Sequence, residues 1–260
     1  MFETYAIYCL KRRWVDINQN LYLLIMETTI SKPVNLFLEF LRKTAKEAPA
    51  KILITLAVLF IYYFVPLILL LKWHLMLSLM LIAPVFVCAA VFLTQPATTS
   101  GQLEEKQDHN SMRYLVAATI ISQISVMIEW ALGDNHVFVW NFSTITGAAL
   151  MFCGLSLRVR TIMELGKYFD NSVRILTDHI LIKTGPYSVV RHGSYSGIYI
   201  LALGIAVYFS AWWGLGISVV VLGLAYHYQI EHEEKALLAA FGDDYKKYCE
   251  KTYRMFPWIW

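Results

Sequence analysis

The polar residues of this sequence concentrate in two short blocks. The first is His179-Ile-Leu-Ile-Lys-Thr-Gly185-Pro186-Tyr187-Ser-Val-Val-Arg191-His192-Gly193-Ser-Tyr195-Ser-Gly197. The second is Tyr226-His227-Tyr228-Gln229-Ile230-Glu231-His232-Glu233-Glu234. Guanidinium, imidazole and carboxylate groups hold charged ligands by charge-assisted hydrogen bonds. The second block is not a zinc motif, because His232-Glu233 lacks the second histidine of HExxH. Its three acids directly follow an apolar run, where acids do nothing to anchor a helix and tend to be paired or functional. On a helix, Gln229 and Glu233 share a face at i,i+4, and Glu234 points about 100° away. Taken alone, Arg191 is equally an anchor at a basic membrane face. His179 or His192 alone reads first as an interfacial histidine with no role.

The elements that must position these blocks are apolar. Of 260 residues, 58% are hydrophobic and 16% charged, and the mean hydropathy is +0.51. Soluble domains carry about 25% charged residues, so the solvent of this chain is partly lipid. A spanning helix needs about 20 apolar residues. Candidates run from Ile52 to Leu71, Leu75 to Leu93, Tyr114 to Leu132 and Val137 to Leu157. The apolar stretch from Tyr195 to Ile230 is long enough for two short spans, with Ala211 to Gly216 as their turn. The fold class expected is therefore all-α, a polytopic membrane helical bundle of about six spans in three hairpins.

Of the 22 basic residues, all but Lys72 fall in segments that six spans place on one side. By the positive-inside rule both termini are then cytosolic. The last hairpin returns the chain to the side it left, so 179–197 and 226–234 meet at the cytosolic membrane face. The net charge of +3 is too small to argue for nucleic acid. Cys9, Cys88, Cys153 and Cys249 are scattered, without metal-ligand spacing, and no metal site is expected. Leu21 to Met26 is too short for the core of a cleaved signal. Segment 31–50 suits a basic amphipathic helix on the membrane surface and equally an ordinary solvated helix before the first span, and 95–112 a polar cytosolic loop. The domains expected are a cytosolic segment 1–50, N-terminal spans 51–164 and a C-terminal region 165–260.

In order along the chain, these motifs resemble the isoprenylcysteine carboxyl methyltransferase family of integral membrane enzymes. Leu165-Gly166-Lys-Tyr-Phe169 matches its Leu-Gly-x-x-Phe element. His179 to Tyr187, including Leu181, matches His-x-Leu-(Val/Ile)-x-x-Gly-Pro-Tyr, and Arg191 to Gly197 matches Arg-His-Pro-x-Tyr-x-Gly. Ile230, Glu233, Glu234, Leu237, Phe241-Gly242 and Tyr245 match the closing elements. Two positions depart: Gly193 replaces a proline, and Gln229 replaces an arginine expected to orient an acceptor carboxylate.

The resemblance implies S-adenosyl-L-methionine as methyl donor, held at the cytosolic face. It also implies a lipophilic acceptor entering from the bilayer, with membrane lipid around it. Arg191 and His192 would hold the donor carboxylate, and Glu233 or Glu234 its ammonium or ribose hydroxyls. Tyr187 or Tyr195 would face the adenine or the cationic sulfur. Gly185 and Gly197 would allow close backbone approach. His179 and Leu181 complete the cofactor set, and Gln229 and Glu233 are the candidate catalytic pair. The acceptor implied is a prenylcysteine carboxylate; a phospholipid amine or a small thiol is an alternative. A sterol-type reductase using NADPH and a non-catalytic membrane protein are the competing readings. The membrane is the endoplasmic reticulum in a eukaryote or the inner membrane in a bacterium.

Overall fold

The computed structural model describes residues 48–94, 111–134, 136–168 and 180–259. The expected interfacial helix, the 95–112 loop up to residue 110, Phe169 and His179 lie outside these residues. The described elements are helical. α1 (Ala48–Leu59) runs through a π-turn (Phe60–Phe64) into α2 (Val65–Leu69). Short 3-10 turns at Trp73–Leu77 and Leu79–Leu81 lead into α3 (Ile82–Leu93). Then come α4 (Ser111–Leu132), α5 (Phe142–Leu165), α6 (Gly193–Tyr208), α7 (Trp212–Phe241) and α8 (Asp243–Cys249). The π-turn has a local cause. Pro66 has no N–H to donate, and its ring crowds the carbonyl of Tyr62, four residues back. The helix widens there instead of breaking.

Ile52–Leu69 and helices including α5 and α7 are long and apolar enough to cross a membrane, as is Arg113–Leu132 within α4. Leu79–Leu93 and α6 are shorter apolar helices. The chain is an integral membrane protein, and its apolar segments pair through short connections at 70–78, 133–141 and 209–211. The tightest packing lies between different hairpins, α5 against α6 and α4 against α7. Large apolar side chains such as Leu53, Leu69, Phe86, Phe152 and Leu224 point outward, as lipid-facing positions do.

The structure corrects four boundaries. The α-helix of the second span starts at Ile82 rather than Leu75, which lies in a 3-10 turn. The fourth span starts at Phe142 rather than Val137, because Asn141 and Thr144 form a reciprocal capping box. It continues past Leu157 to Leu165, so Arg158 lies inside the helix and not in the following connection. The turn of the last hairpin is 209–211, and Trp212 to Gly216 already belong to α7. The reason is a carboxylate from another helix. Glu129 of α4 accepts from the N–H groups of Trp213 (3.2 Å) and Gly214 (2.6 Å). It caps a helix start that has no side-chain cap of its own.

The α5–α6 seam is built on glycine. Gly147 and Gly154 on α5 face Tyr208, Gly197 and Leu201 on α6, and Gly197 and Gly204 reciprocate. In lipid, such small residues let backbones approach where no hydrophobic force drives association. A Cβ at Gly197 would stand 2.7 Å from the Gly154 oxygen and 2.8 Å from the Arg158 nitrogen. Both are backbone atoms and yield poorly, so Gly197→Ala is expected to cost about 1–3 kcal/mol. Gly216 has nothing within 4 Å of a built Cβ. Gly216→Ala should therefore leave stability unchanged or raise it by up to about 1 kcal/mol. Thermal unfolding in detergent checks both; equal midpoints for the two variants would contradict the seam.

Candidate active site

Four segments meet at one end of the bundle. The chain leaves 180–184, makes a 3-10 turn at Gly185–Ser188, and starts α6 from His192. Gly185 has φ +57°, the left-handed region that glycine tolerates. A Cβ there would meet the Glu164 carboxylate at 2.9 Å, which also accepts from Thr184 Oγ1 at 2.5 Å. The C-terminal strap then runs beside this turn. Arg191 N–H donates to the Tyr253 carbonyl (2.8 Å), His192 N–H to that of Arg254 (2.9 Å), and Tyr253 N–H to that of Val189 (2.9 Å). Ser196 Oγ donates to the Met255 carbonyl at 2.7 Å, and the Tyr248 hydroxyl to that of Tyr187 at 2.6 Å.

α7 stays helical through the second block, so Gln229 and Glu233 share a face as their spacing requires. Gln229 Nε2 donates to Glu233 Oε1 at 2.9 Å, and the Tyr195 hydroxyl donates to the same oxygen. His192 Nδ1 lies 3.3 Å from the other Glu233 oxygen. Glu234 forms a clasp: Arg191 Nε is 3.0 Å away, Arg254 2.8 Å, and His192 Nε2 3.4 Å. Arg191 also donates through Nη1 to the Cys249 carbonyl (3.2 Å) and to that of Thr252. Its guanidinium thus joins α7, the end of α8 and the strap. Arg191 is therefore held to all three elements at once. Likewise, the close approach at Gly197 is to the backbone of α5. Leu181 is half-buried in the extended lead to the turn. Tyr187 is buried. The His192 and Tyr195 rings stack 5.9 Å apart at 5°.

Burial alone would depress the His192 pKa, but hydrogen bonds to Glu233 and Glu234 and their charges outweigh it and raise it. The sign follows. A raised folded value contributes stability that is complete below the ordinary imidazole range and disappears as pH rises through the folded value. The Tm difference between wild type and His192→Asn should therefore be larger at pH 5.5 than at pH 9. A difference that is flat or grows with pH would refute this.

Sequence reasoning missed two residues. Arg158 is 2% exposed and donates to Ser194 Oγ at 2.7 Å. The phenols of Tyr226, Tyr195 and Tyr187 lie within its electrostatic reach. Its signal was available: an ionisable residue in an apolar run is a candidate functional residue by default. Arg254 had no such signal, since it follows every recognised motif. An open cleft of about 440 Å³ lies alongside, lined in part by Glu234, Lys235, Tyr245, Cys249 and Arg254. Among the described residues no group of histidines, cysteines and acids has metal-binding geometry.

Residues 147–239, which carry most of α5, all of α6 and most of α7, match the isoprenylcysteine carboxyl methyltransferase (ICMT) family. The match is confined to this region of the chain. Among its relatives, protein-S-isoprenylcysteine O-methyltransferase of Saccharomyces cerevisiae is 27% identical over 157 residues, 58% of this chain and 66% of its own. The protein of that name from Schizosaccharomyces pombe is 29% identical over 124 residues, 47% and 52% of the two chains. The matched part thus spans about two thirds and about half of these two relatives. A solved structure of a eukaryotic intramembrane Ras methyltransferase, isoprenylcysteine carboxyl methyltransferase, aligns with a TM-score of 0.49 and 19% identity, covering 97% of this chain and 91% of that one. The matched segment includes Arg158, His192, Tyr195, Gln229, Glu233 and Glu234, whereas Arg254 lies beyond it.

Proposed function

We propose that this protein is a membrane methyltransferase that uses S-adenosylmethionine to methylate the carboxylate of a prenylated cysteine reaching it from the bilayer. The observation that carries this reading is the convergence of His192, Tyr195 and Glu233 beside a buried Arg158, within the ICMT-family segment. The basic residues gathered at this end put it in the cytosol, with both termini.

The residues fit the donor. Gln229 Oε1 is buried without a hydrogen bond, and a buried polar atom of this kind calls for a partner. An ammonium or ribose hydroxyl would donate to Gln229 Oε1. Glu233 would add negative charge beside the ammonium, and Tyr195 would present a ring to the cationic sulfur. Bound, S-adenosylmethionine supplies a methyl group on a cationic sulfur, which an ionised carboxylate can displace without a base.

The chain's own task is positioning and desolvation, which can supply several kcal/mol. Gln229 cannot neutralise an acceptor carboxylate as the family arginine would. Arg158 supplies the missing cation from α5. The aromatic side chains of Tyr195, Tyr199, Tyr226 and Phe256, with centroids 5.2–6.2 Å apart, suit a prenyl chain.

Detergent-purified protein should bind S-adenosylhomocysteine and transfer a labelled methyl group to an N-acetylated, S-farnesylated cysteine. Glu233→Ala should weaken S-adenosylhomocysteine binding tenfold or more, the loss of about one charge-assisted bond. Binding of NADPH in its place would move the protein to the reductase class. Binding of neither would remove the enzyme reading.

A further inference from the structure

The end of the bundle away from the site has a polar cluster of its own. The turn after α2 carries Lys72 and His74, and the turn after α4 carries His136. Between them lies a cavity of about 320 Å³ lined by His74, Ser78, His136 and the apolar Leu75, Leu77 and Phe138, among others. Ser78 Oγ donates to the His136 carbonyl at 3.2 Å and ties the two turns together. The His136 ring stands edge-on to Trp130, with centroids 5.3 Å apart. His136 Nδ1 and Trp130 Nε1 are both buried without a hydrogen bond.

Burial, then the proximity of Lys72 and His74, lowers the His136 pKa; Asp134 and a hydrogen bond to Gly133 oppose this. Lys72, His74 and His136 therefore share one small volume, with Asp134 the one acid among the described residues acting on it. Lys72 is also the one basic residue on this side of the chain. The cavity rim is apolar and open. Leu77 is 92% exposed and Val137 76%, so both face acyl chains in a membrane. Trp73 and Trp140 are exposed nearby, at the depth where tryptophan marks the headgroup layer.

A polar end lined by two histidines beside Lys72, with an apolar rim open to the lipid, has the shape and charge of a site for an anionic amphiphile. A water molecule would satisfy His136 Nδ1 but would leave the charge of Lys72 and the ring of His74 without a counterpart. We propose that this cavity binds the phosphate of an anionic phospholipid in the leaflet opposite the methyl-transfer site, held by His74 and His136 and neutralised by Lys72.

The test titrates detergent-purified full-length protein with dihexanoyl phosphatidic acid below its micelle concentration and reads tryptophan fluorescence and thermal midpoint. Dihexanoyl phosphatidylcholine and inorganic phosphate are run in parallel. The expected result is a saturable response to phosphatidic acid that neither control reproduces. Lys72→Gln with His74→Gln should weaken it about tenfold without moving the ligand-free midpoint, because neither side chain is buried. An equal response to phosphatidylcholine would overturn the charge argument. An equal response to inorganic phosphate would overturn the lipid assignment. An unchanged affinity in the double variant would overturn the site.

Discussion

Glu234→Ala is expected to lower the thermal midpoint more than any other single change at this site. One carboxylate there holds Arg191 at 3.0 Å and Arg254 at 2.8 Å, with His192 at 3.4 Å. Its side chain is 13% exposed, and that of Arg191 9%. Removing one member of a partly buried ion network leaves the others short of compensation, at a cost of up to about 3–5 kcal/mol. For a chain of this size each kcal/mol moves Tm by about 2–4 °C, so the midpoint should fall by up to roughly 6–20 °C. Glu234→Gln should fall less, since its amide oxygen still accepts from one arginine. A midpoint for the alanine variant within about 2 °C of wild type would show that the clasp is not structural.

Arg158→Met should leave S-adenosylhomocysteine affinity within about twofold and reduce kcat/KM for the prenylcysteine acceptor by roughly tenfold to a hundredfold. The magnitude is that of one hydrogen bond to a charged group, about 1.5–3 kcal/mol. Methionine keeps much of the volume, so the change removes the charge rather than opening a cavity. The decisive companion is Arg158→Met with Gln229→Arg. If the acceptor carboxylate needs a cation from either helix, the second change recovers part of the lost activity. Full acceptor turnover in the single variant, or an equal loss of cofactor affinity, would defeat the assignment.

Much of this site was legible in the sequence because helices preserve spacing. The i,i+4 relation of Gln229 and Glu233 became a hydrogen bond of 2.9 Å. The return of the last hairpin brought His192 to both acids. Arg158 was passed over because the span was ended just before it, at Leu157. A guanidinium in an apolar run reads as the end of a helix unless its partners are known, and Ser194 lies 36 residues away. The strap was hidden for another reason. Tyr253 and Arg254 act largely through backbone carbonyls, which every residue has. The capping of α7 by Glu129 was equally unreadable, since it joins residues 84 and 85 positions apart.

The length of α6 has a consequence for where catalysis takes place. Its 16 residues rise about 24 Å, against a hydrocarbon layer of about 30 Å. A helix this short cannot carry its polar N-terminal end out to the headgroups while its other end reaches the far boundary. Such a helix thins the bilayer around it or leaves one of its ends short of the headgroups. If the thinning falls at His192, a prenylated cysteine, the acceptor proposed above, would reach the site with less lifting of its lipid.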